Sequence, residues 1–116
     1  MRLVIEGEPI AKARPRVVKG GTYTPKRTLE AEQAIGWAFK ESGMERIDLP
    51  ARIHVRMTFR CRTRRRTDLD NLVKLGLDAL NGLWFEDDWQ IDSIDAVREW
   101  VDADPCTEIT ITRLEG

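Results

Sequence analysis

The chain is short of the residues that most enzymes use for covalent or zinc chemistry. It has a single histidine, His54, and two cysteines, Cys61 and Cys106, among 116 residues. Neither cysteine sits in a Cys-x-x-Cys pair, so a zinc centre lacks its nitrogen and sulfur ligands. The same shortage leaves no credible His or Cys nucleophile system, and the cysteines read as two reduced, mostly buried thiols. Long apolar runs are missing too, which excludes a bilayer span. The N-terminal Met1–Glu6 turns acidic before a signal-peptide core could form, so a cytoplasmic location is expected. Internal repeats and low-complexity tracts are absent. What remains fits one compact domain over residues 1–116, with 41% hydrophobic and 34% charged residues.

A net charge of −1 also lacks the basic excess of many nucleic-acid binders. The distribution matters more than the sum. Apart from His54, every charged residue from Arg52 to Arg66 is an arginine: Arg52, Arg56, Arg60, Arg62, Arg64, Arg65 and Arg66. From Glu86 to Asp104 they are acidic, with Arg98 the exception. A second basic stretch holds Lys12, Arg14 and Arg16 in alternation. An extended backbone would point these to one side, as a phosphate contact or as a solvated loop.

Hydrophobic periodicity gives the element order β-α-β-α-β-β. Met1–Glu6 reads as a short strand, and Gly20-Gly21 as a turn or tip. Thr28 is an expected N-cap for a helix to about Ser42, with Gly43 as its stop. Ala51–Arg62 alternates apolar Ile53, Val55, Met57, Phe59 and Cys61 with a basic face. A helix is expected from about Asp70 to Gly82, with Leu69, Leu72, Val73, Leu77 and Leu80 toward the core. Gly76 costs it about 1 kcal/mol against alanine, which argues for close approach of another element. Strands near Gln90–Val101 and Glu108–Arg113 complete the chain, with a turn at Asp102–Pro105 between them. The fold class is α+β, with a small mixed, largely antiparallel sheet and two main helices.

The richest segment is Arg64-Arg65-Arg66-Thr67-Asp68-Leu69-Asp70-Asn71-Leu72-Val73-Lys74. Cations suit phosphate, and carboxylates suit a hard divalent metal. Asp68 and Asp70 can address one ion if Asp68 lies in an extended lead-in and Asp70 at the helix start, because residues two apart in a regular helix diverge by about 200°. Asp70 or Thr67 is the expected N-cap. Magnesium takes two or three carboxylates and lets substrate phosphate complete its shell. Such an ion polarises a phosphate and activates water, the most economical chemistry left to this chain. Lys74, one turn beyond Asp70, would stabilise charge on phosphate or a leaving oxygen, or else pair with Asp70. Asp78 is the expected solvent-facing partner of Lys74. Glu86, Asp87 and Asp88 form a second acidic cluster that could complete the site, and spacing alone does not choose among them.

These residues resemble the RusA family of Holliday junction resolvases. The match runs through the Asp68-x-Asp70-Asn71-x-x-Lys74 core and Trp84-Phe85-Glu86-Asp87-Asp88-Trp89-Gln90-Ile91, with Pro9-x-x-Lys12-x-Arg14-Pro15-Arg16 and Thr22–Pro25 near the N-terminus. The resemblance implies a homodimer that cuts four-way DNA junctions symmetrically in recombination and repair, using magnesium, with manganese as a substitute. It implies Asp68, Asp70 and Asp88 as metal-binding catalytic carboxylates and Lys74 as the catalytic lysine. Lys12, Arg14, Arg16, Arg60, Arg62, Arg64, Arg65 and Arg66 are the expected DNA-binding cations, and Trp37, Leu75 and Trp84 are candidates for a dimer interface. The rival readings are a non-catalytic DNA-binding module, which leaves the carboxylates unexplained, and a magnesium-dependent nucleotide phosphohydrolase, for which seven arginines are excessive.

Overall fold

The alternating segment around Val55 forms the spine of the molecule, a computed structural model that describes residues 1–115 apart from Arg14, Pro15, Lys19 and Thr24, with only the backbone of 16–18 and 22–23. Strand β1 (Arg2–Glu6) is followed by a small hairpin of β2 (Arg16–Val18) and β3 (Gly21–Tyr23). Then come α1 (Lys26–Ser42), β4 (Arg52–Cys61), α2 (Leu69–Leu80), β5 (Ile91–Trp100) and β6 (Cys106–Leu114). The main sheet has the order β1-β6-β4-β5. β6 pairs antiparallel with both β1 and β4, whereas β5 pairs parallel with β4. The architecture is α+β with a mixed sheet. Among the described residues, no helix is long and apolar enough to cross a membrane.

The apolar face of β4 explains the packing. Ile53, Val55, Met57, Phe59 and Cys61 are buried, as are Ile109 and Ile111 of β6 and Leu3 of β1. The helices supply Ile35 and Phe39 from α1 and Leu72, Leu75 and Leu80 from α2. Gly76 lies against Met57: a Cβ there would stand 3.0 Å from Met57 Cε. The close approach inferred from a glycine in mid-helix is therefore real, and β4 is the element that approaches. Trp84 and Phe85, after α2, are completely buried, and Trp84 tilts against Phe39 with ring centroids 5.7 Å apart. Leu75 and Trp84 belong to the core and are not interface residues, whereas Trp37 stays 64% exposed.

Three boundaries differ from the sequence expectation. Helix α1 begins at Lys26, and the carbonyl of Pro25 accepts from the amides of Thr28 and Leu29. Thr28 is buried inside the helix, where its Oγ1 accepts from the amide of Ala13 at 3.4 Å. Gly43 does stop the helix, with φ of 72° in the left-handed region that suits glycine. The N-cap of α2 is Asp68, whose φ and ψ of −87° and 140° are extended, and the helix ends at Leu80 because Asn81 leaves helical geometry. The hairpin of β2 and β3 was not expected as paired strands.

Both cysteines are free thiols. Burial pushes the Cys61 thiol up from its ordinary pKa, as does Glu8, while Arg98 works against them.

Candidate metal and nucleic-acid site

The site begins where β4 ends. The amides of Arg62 and Thr63 both donate to Glu8 Oε1, at 2.9 and 3.2 Å, which pins the chain as it leaves the sheet. Farther along, the guanidinium of Arg98 on β5 donates to Thr67 O at 2.6 Å and contacts Thr67 Oγ1 at 3.3 Å. Thr67 directly precedes Asp68, so Arg98 fixes the entry to α2. This arginine is the lone cation of the acidic C-terminal segment. That sequence anomaly was the available signal for its role, and the parallel pairing of β5 gives it meaning.

Asp68 stands in extended backbone at the helix entrance and Asp70 in the first turn. Asp68 makes no side-chain cap hydrogen bond, while Asp70 Oδ1 accepts from the amide of Asn71 at 3.0 Å. Neither carboxylate has a salt-bridge partner among the described residues, although the helix N-terminus favours their charge. The expected alternative for Lys74, an ion pair with Asp70, is absent; its Nζ lies 3.6 Å from Asp78 Oδ2. Lys74 is exposed and one helical turn from Asp70.

The second acidic cluster sorts itself by hydrogen bonding. A 3-10 turn spans Asp88–Gln90. Glu86 Oε1 accepts from the amide of Leu49 at 3.1 Å, and the Asp87 side chain forms a capping box with Gln90. Gln90 is completely buried. Its Oε1 accepts from the amides of Glu86 and Asp87, and its Nε2 donates to the carbonyls of Ile47 and Ala51. Glu86 and Asp87 thus hold the loop, and among the described residues Asp88 alone of the three acids keeps its carboxylate free of hydrogen bonds and ion pairs. Gln90 is a positioning residue that residue-type patterns alone did not single out; the Asp87-x-x-Gln90 spacing of a capping box was the available signal.

The structure keeps these two parts of the site apart within one chain. Gln90 is bonded to Ala51 at the start of β4, whereas Thr67 is held by Arg98, which pairs with Phe59 near the end of β4. The chain between those levels is roughly 26 Å long at the rise of an extended strand. Helix α2 covers about 18 Å of the return journey. Asp68 and Asp70 sit at one end of it and Asp88 beyond the other. Accordingly, no three Asp, Glu, His or Cys side chains form a metal-holding group among the described residues. The expected convergence of three aspartates does not occur inside a single chain, because the β4-α2-β5 crossover separates them. The Asp68–Asp70 pair does fit a hard divalent cation: its oxygens are exposed, and magnesium needs only one or two carboxylates besides phosphate and water.

The cations divide in the same way. Arg62, Arg64, Arg65 and Arg66 are exposed and, among the described residues, have no carboxylate within ion-pair distance; the Arg64 guanidinium lies 4.6 Å from the Trp100 ring centroid. Arg60, expected beside them, is committed to Glu99 and Glu108, at 3.3 and 2.8 Å. Arg52 is likewise bound to Asp92. His54 approaches Ser93 Oγ at 2.6 Å and Asp95 at 3.5 Å. The basic face of β4 is thus largely neutralised by its neighbours in the sheet. Lys12 is occupied too: its Nζ bonds Glu32 of α1 and lies 3.4 Å from Asp78 of α2, and its amide donates to Asn71 O. The Glu32 hydrogen bond raises the Lys12 pKa against the opposing effect of burial. Arg14 lies outside the described residues, and of Arg16 only the backbone, in β2, is described.

An exposed pair of hard carboxylates thus lies in one segment with arginines that, among the described residues, have no ion-pair partner, an arrangement chemically suited to a divalent cation and phosphate. The family comparison agrees: residues 6–112 match the model of the family described as Endodeoxyribonuclease RusA, so the chain belongs to the RusA endodeoxyribonuclease family. No curated protein matches the chain.

Proposed function

We propose that this protein is a magnesium-dependent endonuclease that resolves four-way DNA junctions during recombination and repair, acting in the cytoplasm as a homodimer of one domain. Manganese is the expected substitute ion. The observation that carries the reading is the set of aspartates, Asp68, Asp70 and Asp88, which among the described residues make no ion pair, while Glu86 and Asp87 are spent on structure.

The homodimer has a geometric motive. Asp88 cannot join Asp68 and Asp70 of its own chain, but a two-fold partner can bring Asp88 of the partner subunit to their end of α2. Each pair of subunits then makes two equivalent sites, which matches a junction with two equivalent strands to cut. Asp68 and Asp70 would hold the ion from the helix entrance. When bound, magnesium polarises the scissile phosphate and lowers the pKa of water. Arg62, Arg64, Arg65 and Arg66 hold the DNA backbone, and Lys74 neutralises charge growing on the phosphate or the leaving oxygen. Glu8 and Arg98 keep the segment between the arginines and Asp68 in place.

Mixing inactive subunits tests both the chemistry and the shared site. Asp70→Asn and Asp88→Asn homodimers should each bind a fixed four-way junction and fail to cut it in magnesium. A mixed dimer has one site with both defects and one site with neither, so mixing should restore nicking of a single strand. Cleavage by Asp70→Asn alone would remove the proposed mechanism, and failure of the mixture, with exchange verified, would return Asp88 to its own chain.

A further inference from the structure

Trp89 follows Asp88 directly and is 69% exposed, more than any other large hydrophobic residue among those described. Leaving an indole in water forfeits burial energy. The backbone beneath it is nonetheless fixed, because the side chain of neighbouring Gln90 is buried and bonded to four backbone groups. Arg52 adds a second restraint. Its Nη2 donates to Trp89 O at 2.5 Å, and its guanidinium carbon lies 4.3 Å from the centroid of the indole ring. Arg52 is itself held by Asp92, through Nε at 2.9 Å and Nη2 at 2.5 Å. One face of the indole is therefore backed by a planar cation, and the other is open.

Resting on the nuclease reading above, we propose that Trp89 is a stacking platform for an unstacked nucleobase next to the phosphate that Asp88 addresses. Consecutive Cα atoms are about 3.8 Å apart, so a side chain adjoining Asp88 reaches the nucleotide that carries that phosphate. A base has a π-face whatever its identity, and stacking between a base and an aromatic ring backed by arginine is a sequence-tolerant way to hold a strand. In continuous duplex every base is already stacked on its neighbours. At a branch point the stack is interrupted, so a base there is available at lower cost. Trp89 thus favours branched over linear DNA without reading sequence. Arg52 acts through Trp89 as a positioning residue.

The test uses the full chain and fixed four-way junctions with 5-iodouracil at each nucleotide flanking the branch. Binding is measured in EDTA so that no strand is cut. Irradiation should crosslink Trp89 to one such base, as mapped by mass spectrometry. Trp89→Ala should lose that crosslink and weaken junction binding roughly tenfold while leaving linear duplex affinity unchanged. Trp89→Phe should recover most of the affinity. A junction bound with no crosslink to Trp89 at any position overturns the proposal. So does an equal loss on linear duplex, or a change of oligomeric state in Trp89→Ala, which would place a second copy of the chain over the indole. The nuclease reading is judged separately by cleavage in magnesium: cutting without the crosslink removes only the platform, and a crosslink without cutting removes only the nuclease.

Discussion

At the scale of single residues, the same residue type does opposite work in different surroundings. Arg60 sits between Glu99 and Glu108, whereas Arg65 and Arg66 face solvent. Arg60 holds the Glu108 carboxyl below its ordinary pKa of 4.5. The sign follows: a carboxylate with a lowered folded-state pKa adds stability above the unfolded value and loses it as pH falls through the lowered one. Acid titration followed by thermal melting should therefore show a loss of stability below pH 4.5, and Glu108→Gln should flatten that dependence. Gly76 gives a second prediction at this scale. Gly76→Val forces a branched side chain into Met57, and overpacking of this kind costs about 2 kcal/mol, readable by urea denaturation.

At the scale of elements, short segments outside the regular helices and strands position the chemistry. The turn at Asp88–Gln90 depends on one amide side chain. Gln90→Leu keeps the volume but leaves the amides of Glu86 and Asp87 and the carbonyls of Ile47 and Ala51 without that partner. We expect a loss of about 3 kcal/mol in stability and a fall in junction cleavage, measured by denaturation and by single-turnover cutting. Among the described residues, the loop from Arg62 to Thr67 is the main exposed source of cations without an ion-pair partner. Replacing Arg65 and Arg66 together by alanine should lower the slope of log affinity against log salt by about two, because each phosphate contact releases about one counterion. Arg60→Ala should leave that slope nearly unchanged and instead weaken the fold.

At the scale of the whole molecule, the parallel β4-α2-β5 crossover governs everything else. It buries Leu72, Leu75 and Leu80 against β4, and it carries the chain from Asp68 at one end of α2 to Asp88 beyond the other. The same pairing turns the basic face of β4 into a nearly balanced surface by bringing Asp92, Asp95 and Glu99 alongside it. Sedimentation should give a dimer, since the proposed site is incomplete in one copy.

The sequence by itself determined the elements that carry strong periodicity. Strand β4, helix α2 and the last two strands could be read from their apolar spacing, the packing demand at Gly76 from one poor helix former, and the family from ordered motifs. Local chemistry writes those signals, because burial on one face forces a period and a cap forces a residue type. Tertiary structure alone decided which strands pair, and with them the fates of Arg60, Lys12 and Asp88. Charges within a few ångströms of one another in space are tens of residues apart in the chain. No local pattern records whether a guanidinium meets a carboxylate from the next strand or is left free for phosphate.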